Sequence, residues 1–201
     1  MTIKRTITVA CVAILIANLL LVLLSWIMSA TGVAGVRSLI SSEGLRWFLS
    51  RYIDNISTPL LAWLLLLAIA YSCYEGSGLS MAVSRVLKGE KLEFKQRLGI
   101  RVALIVLAVV VAVTLLLLLT PHAVLLSPSG DVFPSPFSRS IVPIVAGAVT
   151  LFSFAYGLAG GTINNIDTAF NTLYCKIPTL LPVLILYIFA AQLYACLCFV
   201  F

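Results

Sequence analysis

Five stretches of this chain contain no charged residue and are each long enough to cross a lipid bilayer: residues 6–36, 55–74, 102–130, 140–166 and 177–201. Even the shortest, coiled as an α-helix, reaches ~30 Å, about one hydrocarbon thickness. None alternates polar with apolar residues, and an open sheet edge has no partner for its backbone groups in lipid. The fold class that follows is an all-α membrane protein. Composition agrees, because 62% of the residues are hydrophobic and only 10% are charged, too few to cover a water-facing surface. We expect one transmembrane domain over residues 1–201, with spans near 6–29, 57–75, 98–119, 140–160 and 178–201. The first run follows Lys4 and Arg5 as a signal peptide would. Its apolar part is too long for a cleaved segment, so it is expected to stay as the first span.

The charge balance is +6, from 13 Lys and Arg against 7 Asp and Glu. These cations lie between the apolar runs, a pattern that orients a membrane protein rather than one that binds nucleic acid. With the N-terminus inside, the cytoplasmic segments hold Lys4, Arg5, Arg85, Lys88, Lys91, Lys95, Arg97, Arg101 and Lys176. The outer segments hold Arg37, Arg46, Arg51 and Arg139. The bias predicts a cytoplasmic segment at 86–97 and an outer turn at 127–139, where Pro and Gly break the helices.

Two further segments are expected to lie in the headgroup plane as amphipathic helices. Residues 42–54 put Leu45, Phe48, Leu49, Tyr52 and Ile53 on one face and Glu43, Arg46 and Arg51 on another. Trp47 and Tyr52 suit the aromatic belt. Residues 166–177 repeat the pattern with Ile166, Ala169, Phe170, Leu173 and Tyr174, until Pro178 interrupts it. Both segments also suit the outer turns of tilted spans.

No catalytic constellation is present. His122, the only histidine, has no acidic neighbour, and no nucleophile-elbow, zincin or phosphate-loop sequence occurs. The five cysteines include one C-x-C, Cys196 and Cys198, without the paired spacing and histidines of a zinc site. No metal, cofactor or catalytic residue is therefore expected. Two places hold candidate solute-path or helix-contact residues. Gly157, Gly160, Gly161, Asn164 and Asn165 form a glycine-broken stretch, which in transporters frees backbone groups for a ligand. The residues favour a plainer reading, in which Gly160 and Gly161 end the span and Gly157 permits close helix packing. Gln192 lies in the middle of the last run, where its amide needs a partner on another helix or a polar cavity.

Several short motifs in order resemble one family. Ser42-Glu43-Gly44-Leu45-Arg46-Trp47, Asp54-Asn55 and Glu75-x-Ser77-Gly78-Leu79 are similar to the N-terminal part of the AbgT family. Pro134-Ser135-Pro136-Phe137, Ile141-Val142-Pro143-Ile144, Ala155-Tyr156-Gly157, Gly160-Gly161-Thr162-Ile163 and Phe189-Ala190-Ala191-Gln192 resemble a later part of it. The family comprises secondary transporters linked to p-aminobenzoyl-glutamate uptake and, in some members, to antimetabolite efflux. Its members are longer and carry two re-entrant hairpins. Here a loop over 76–98 stands in place of the first, and the chain stops where the second would begin. Tyr194 to Cys198 replace polar residues usual in the family.

The resemblance thus implies a reduced member that keeps the scaffold and dimer-forming helices. It would act as a scaffold or partner subunit, homodimeric, in a bacterial plasma membrane. The alternative is a minimal ion-coupled transporter of p-aminobenzoyl-glutamate or a similar small aromatic anion. The resemblance marks Glu43, Arg46, Trp47, Asp54 and Asn55 as family-motif residues of the interfacial helix.

Overall fold

The computed structural model describes residues 2–33, 35–119 and 136–201. Every regular element among them is helical. In chain order these are α1 (Thr2–Ala30), α2 (Ser42–Ile56), α3 (Pro59–Gly76), α4 (Leu79–Leu87), α5 (Phe94–Leu119), α6 (Pro136–Gly160), α7 (Ile166–Tyr174) and α8 (Ile177–Val200). Five are long and apolar enough to cross a membrane: α1, α3, α5, α6 and the run through α8. The protein is an all-α membrane protein, as its charge-free runs require. His122, residues 127–135 of the expected outer turn, and Pro134 and Ser135 of the second motif block lie outside the described residues.

The spans carry large apolar side chains on their outer surfaces, including Leu19, Leu23, Ile105, Leu116 and Leu158. Such surfaces are stable only against lipid. Pro59 opens α3, where its missing N–H costs nothing. Pro143 and Pro182 lie inside α6 and α8, a placement that membrane helices tolerate.

Several boundaries differ from those expected, and α6 already begins at Pro136, within the expected outer turn. The 76–98 segment is not a plain loop, because α4 occupies nine residues of it. Gly78 turns the chain into α4 at φ +78°, a left-handed conformation suited to glycine, and Leu79 and Ala82 bury its inner face. With little more than two turns, α4 gives too short a periodic pattern to stand out in the sequence. The third span begins at Phe94 instead of 98, drawing Lys95 and Arg97 into its first turns. Pro178 does not end α7. That helix stops at Tyr174, and Pro178 sits in the first turn of α8, where proline is at home.

The chain divides into two compact units. The first comprises Met1–Ala62 and Thr179–Phe201. Leu21, Leu39, Cys196 and Val200 form its buried cluster, with Val22, Val36, Trp47, Phe48, Leu193 and Phe199 packed around. Polar groups tie its segments together. Asn18 Nδ2 of α1 donates to the Phe189 carbonyl of α8 at 3.3 Å. The Leu39 N–H donates to Ser25 Oγ at 3.2 Å, and the Arg37 N–H to the Val200 carbonyl at 3.1 Å. The Tyr187 hydroxyl pairs with Thr58 and donates to the Ile56 carbonyl.

The second unit is Trp63–Pro178. Leu79, Ala82, Ala103 and Tyr156 are its buried cluster. Gly99 lets α5 approach Tyr156 of α6, since a methyl group at that glycine would stand 3.0 Å from the tyrosine ring. Ser72 joins α3 to the junction of α7 and α8. Its hydroxyl donates to the Thr172 carbonyl at 2.9 Å and accepts from the Lys176 N–H at 3.0 Å. An exposed ion pair, Lys176 to Glu75 at 4.0 Å, lies at the same junction and contributes little.

Candidate functional site

In the first unit, α2 begins at the N-cap Ser41, whose hydroxyl accepts from the Gly44 N–H at 3.1 Å and donates to the Ser38 carbonyl at 2.7 Å. Glu43, Trp47, Arg51 and Asn55 then recur every four residues and share one face of the helix. That face lines a groove of about 480 Å³ together with Arg37 and with Ala195, Cys198 and Phe199 of α8. Trp47 stacks on Phe199, ring centroids 4.3 Å apart and planes 21° from parallel. The Arg37 guanidinium lies 5.8 Å from the centroid of the Phe199 ring, within cation–π range. Asn55 Nδ2 is buried and has no hydrogen-bond partner. Among the described residues neither Arg37 nor Arg51 forms an ion pair, and Glu43 and Arg46 do not pair across their turn.

The groove therefore gathers three of the five motif residues, Glu43, Trp47 and Asn55. Arg46 and Asp54 are exposed and do not line it. Trp47 is partly buried, stacked on Phe199 and packed against the cluster that includes Leu39. The apolar row does face outward, with Leu49 and Ile53 each 74% exposed. Arg37, Arg51, Cys198 and Phe199 were not among the candidate site residues expected from the sequence. Arg51 is legible afterwards from its four-residue spacing to Trp47 and Asn55. Arg37 and Phe199 come from segments far apart in the chain and leave no local signal.

The glycine-broken stretch lies in the second unit and closes on itself. Gly161 adopts φ +75° and ends α6. The N–H groups of Thr162 and Ile163 both return to the Gly157 carbonyl at 3.0 Å, the pattern of a glycine-terminated helix. Gly157 is small because the Ile163 side chain folds over it: a methyl group there would meet Ile163 Cδ1 at 2.5 Å. The Thr162 hydroxyl donates to the Ser77 carbonyl at 2.9 Å. Asn165 caps α7 in a reciprocal arrangement with Thr168. Gly160 is in open contact with Tyr156 only, and Asn164 is exposed. Asn164 and Asn165 share a depression of about 480 Å³ with Leu158, Ile163, Ile166 and Ala169, which has no charged lining residue.

Gln192 departs from expectation. It is 6% exposed, yet its amide nitrogen reaches only Cys196 Sγ, in its own helix, at 3.7 Å. Its Oε1 has no partner. Within the described residues it makes no bond to another helix.

A profile described as the "AbgT putative transporter family" matches residues 80–199 of this sequence. The chain belongs to the AbgT family. The match takes in α4 to α7 and nearly all of α8, including the α8 wall of the groove. The AbgT fold is also seen in a solved structure, that of the YdaH transporter of Alcanivorax borkumensis. It is similar to this chain with a TM-score of 0.70 at 15% identity, over 93% of this chain and 70% of that one. At such identity the likeness is one of fold. No curated protein matches the sequence.

Proposed function

We propose that this AbgT-family chain is a scaffold or partner subunit, homodimeric, that does not transport a solute by itself. The observation that carries this reading is the closed state of the stretch from Gly157 to Asn165. A transporter's broken helix leaves backbone groups for its substrate, whereas here Gly157, Thr162, Asn165 and Thr168 are paired with one another and with Ser77. A second support is electrostatic. An anionic solute crossing the membrane needs a cation near the midplane, and no Lys or Arg occupies the middle of any charge-free run. Cells expressing the chain should accumulate labelled p-aminobenzoyl-glutamate no faster than cells without it. Faster, saturable accumulation would overturn the reading.

The groove between α2 and α8 supports the alternative, a minimal ion-coupled transporter of p-aminobenzoyl-glutamate or a similar small aromatic anion. Its two unpaired arginines and its stacked rings have the chemistry for such a solute.

The orientation we propose puts the N-terminus and α4 in the cytoplasm of a bacterium and α2 on the outer side, from the distribution of cations. In a cysteine-free background, Ser50→Cys should react with an impermeant maleimide in intact cells. Glu90→Cys should react only after permeabilisation. The opposite labelling would invert the topology.

A further inference from the structure

We infer that the groove between α2 and α8 binds the phosphate group of a membrane phospholipid. Its cations come from two segments, Arg37 from the stretch before α2 and Arg51 from α2 itself, with Asn55 one turn beyond Arg51 on the lining. A phosphodiester presents two non-bridging oxygens, which two guanidinium groups can share, and its single negative charge matches a groove with a small positive excess. The Asn55 Nδ2 is itself buried and has no hydrogen-bond partner, so the two guanidinium groups are the donors open to a ligand. Glu43 is the one acidic group on the lining, and it leaves the groove with one net positive charge.

Depth points to a lipid as the source of the phosphate. Ala195 to Phe199 stand ~27–33 Å along α8 from Ile177, about one hydrocarbon thickness from the surface marked by Lys176. The groove is therefore at headgroup level. The four charges of α2, Glu43, Arg46, Arg51 and Asp54, keep that helix out of the hydrocarbon as well. Tyr194 lies one turn deeper than Cys198 on the same face of α8 and is exposed. It continues the groove wall toward the hydrocarbon as a surface for an acyl chain. This inference does not depend on whether the chain transports a solute.

The test is native mass spectrometry of the purified, delipidated protein titrated with phosphatidylglycerol. The wild type should retain one lipid per groove. Arg37→Gln with Arg51→Gln should weaken retention about tenfold or more, the effect of losing charge-assisted hydrogen bonds. Asn55→Asp should weaken it too, and Glu43→Gln should strengthen it. Glu43→Gln keeps the outcome decidable if the arginine variants fold poorly. Lys88→Gln with Lys91→Gln, neither of which lines the groove, should leave it unchanged. Equal retention by wild type and groove variants would overturn the site. Displacement of the lipid by inorganic phosphate would assign the groove to a soluble phosphate, and displacement by p-aminobenzoyl-glutamate to a carboxylate. Either result contradicts the lipid.

Discussion

Gly44→Ala should destabilise the protein by about 2–3 kcal/mol, at the upper end of what overpacking costs. The reason lies in what a single methyl group would meet. It would stand 2.4 Å from the Ser38 carbonyl oxygen and 2.7 Å from both the Cα and the carbonyl oxygen of Leu39. All three are backbone atoms, so no side-chain rotation relieves the clash. The backbone there is held from both sides. Ser41 fixes the start of α2 through Ser38 and Gly44, and Ser25 holds the Leu39 N–H. Either α2 moves off the segment before it, or Leu39 leaves the core cluster. Gly157→Ala is the matched comparison. Its methyl group meets Ile163 Cδ1, the far end of a flexible side chain, and should cost less. Thermal unfolding in detergent reports both, and equal shifts would show that the approach of α2 to Ser38 and Leu39 is not tight.

Ser72→Ala should cost about 1–3 kcal/mol, the penalty for leaving buried polar groups unmatched. Ser72 is 0% exposed, and its hydroxyl serves both the Lys176 N–H and the Thr172 carbonyl. Water does not reach that site to replace it. Gly76 adds to the tightness of the joint, since a methyl group there would stand 2.8 Å from Cys175 Sγ and 3.0 Å from Thr172 Cα. The change is local, so hydrogen exchange is the sharper probe. The Lys176 amide should exchange faster in Ser72→Ala while amides in the middle of α5 keep their protection. Unchanged exchange at Lys176 would show that this hydrogen bond does not hold the α7–α8 joint.

Much of the fold was legible because lipid imposes a severe rule on composition. A run of twenty or more residues without charge has few alternatives to a spanning helix, and each of the five long helices overlaps one such run. The amphipathic patterns of α2 and α7 were legible for the same reason, from their 3.6-residue period. Two classes of feature were not. One is short structure set by tertiary contact, as in α4, whose nine residues are stabilised by burying Leu79 and Ala82. The other is pairing between distant segments. The Trp47–Phe199 stack, the bond from Asn18 to Phe189 and the position of Arg37 over Phe199 join residues over a hundred positions apart. No periodicity encodes them. Gln192 shows the limit from the other side. A buried amide in a span calls for a partner on another helix, but among the described residues its nitrogen reaches Cys196 of its own helix. The glycine stretch was visible as a break in the fourth run, while the return of the Thr162 and Ile163 N–H groups to the Gly157 carbonyl was not.

The central claim, that this AbgT-family chain does not move a solute by itself, is tested most directly by uptake into liposomes. Purified protein would be reconstituted under an imposed proton or sodium gradient and offered labelled p-aminobenzoyl-glutamate. Uptake should not rise above that of empty vesicles, since the glycine break is internally satisfied and the spans carry no midplane cation. Saturable, gradient-dependent uptake, abolished by changing Asn164, Asn165 or Gln192, would contradict the scaffold reading and establish a minimal transporter.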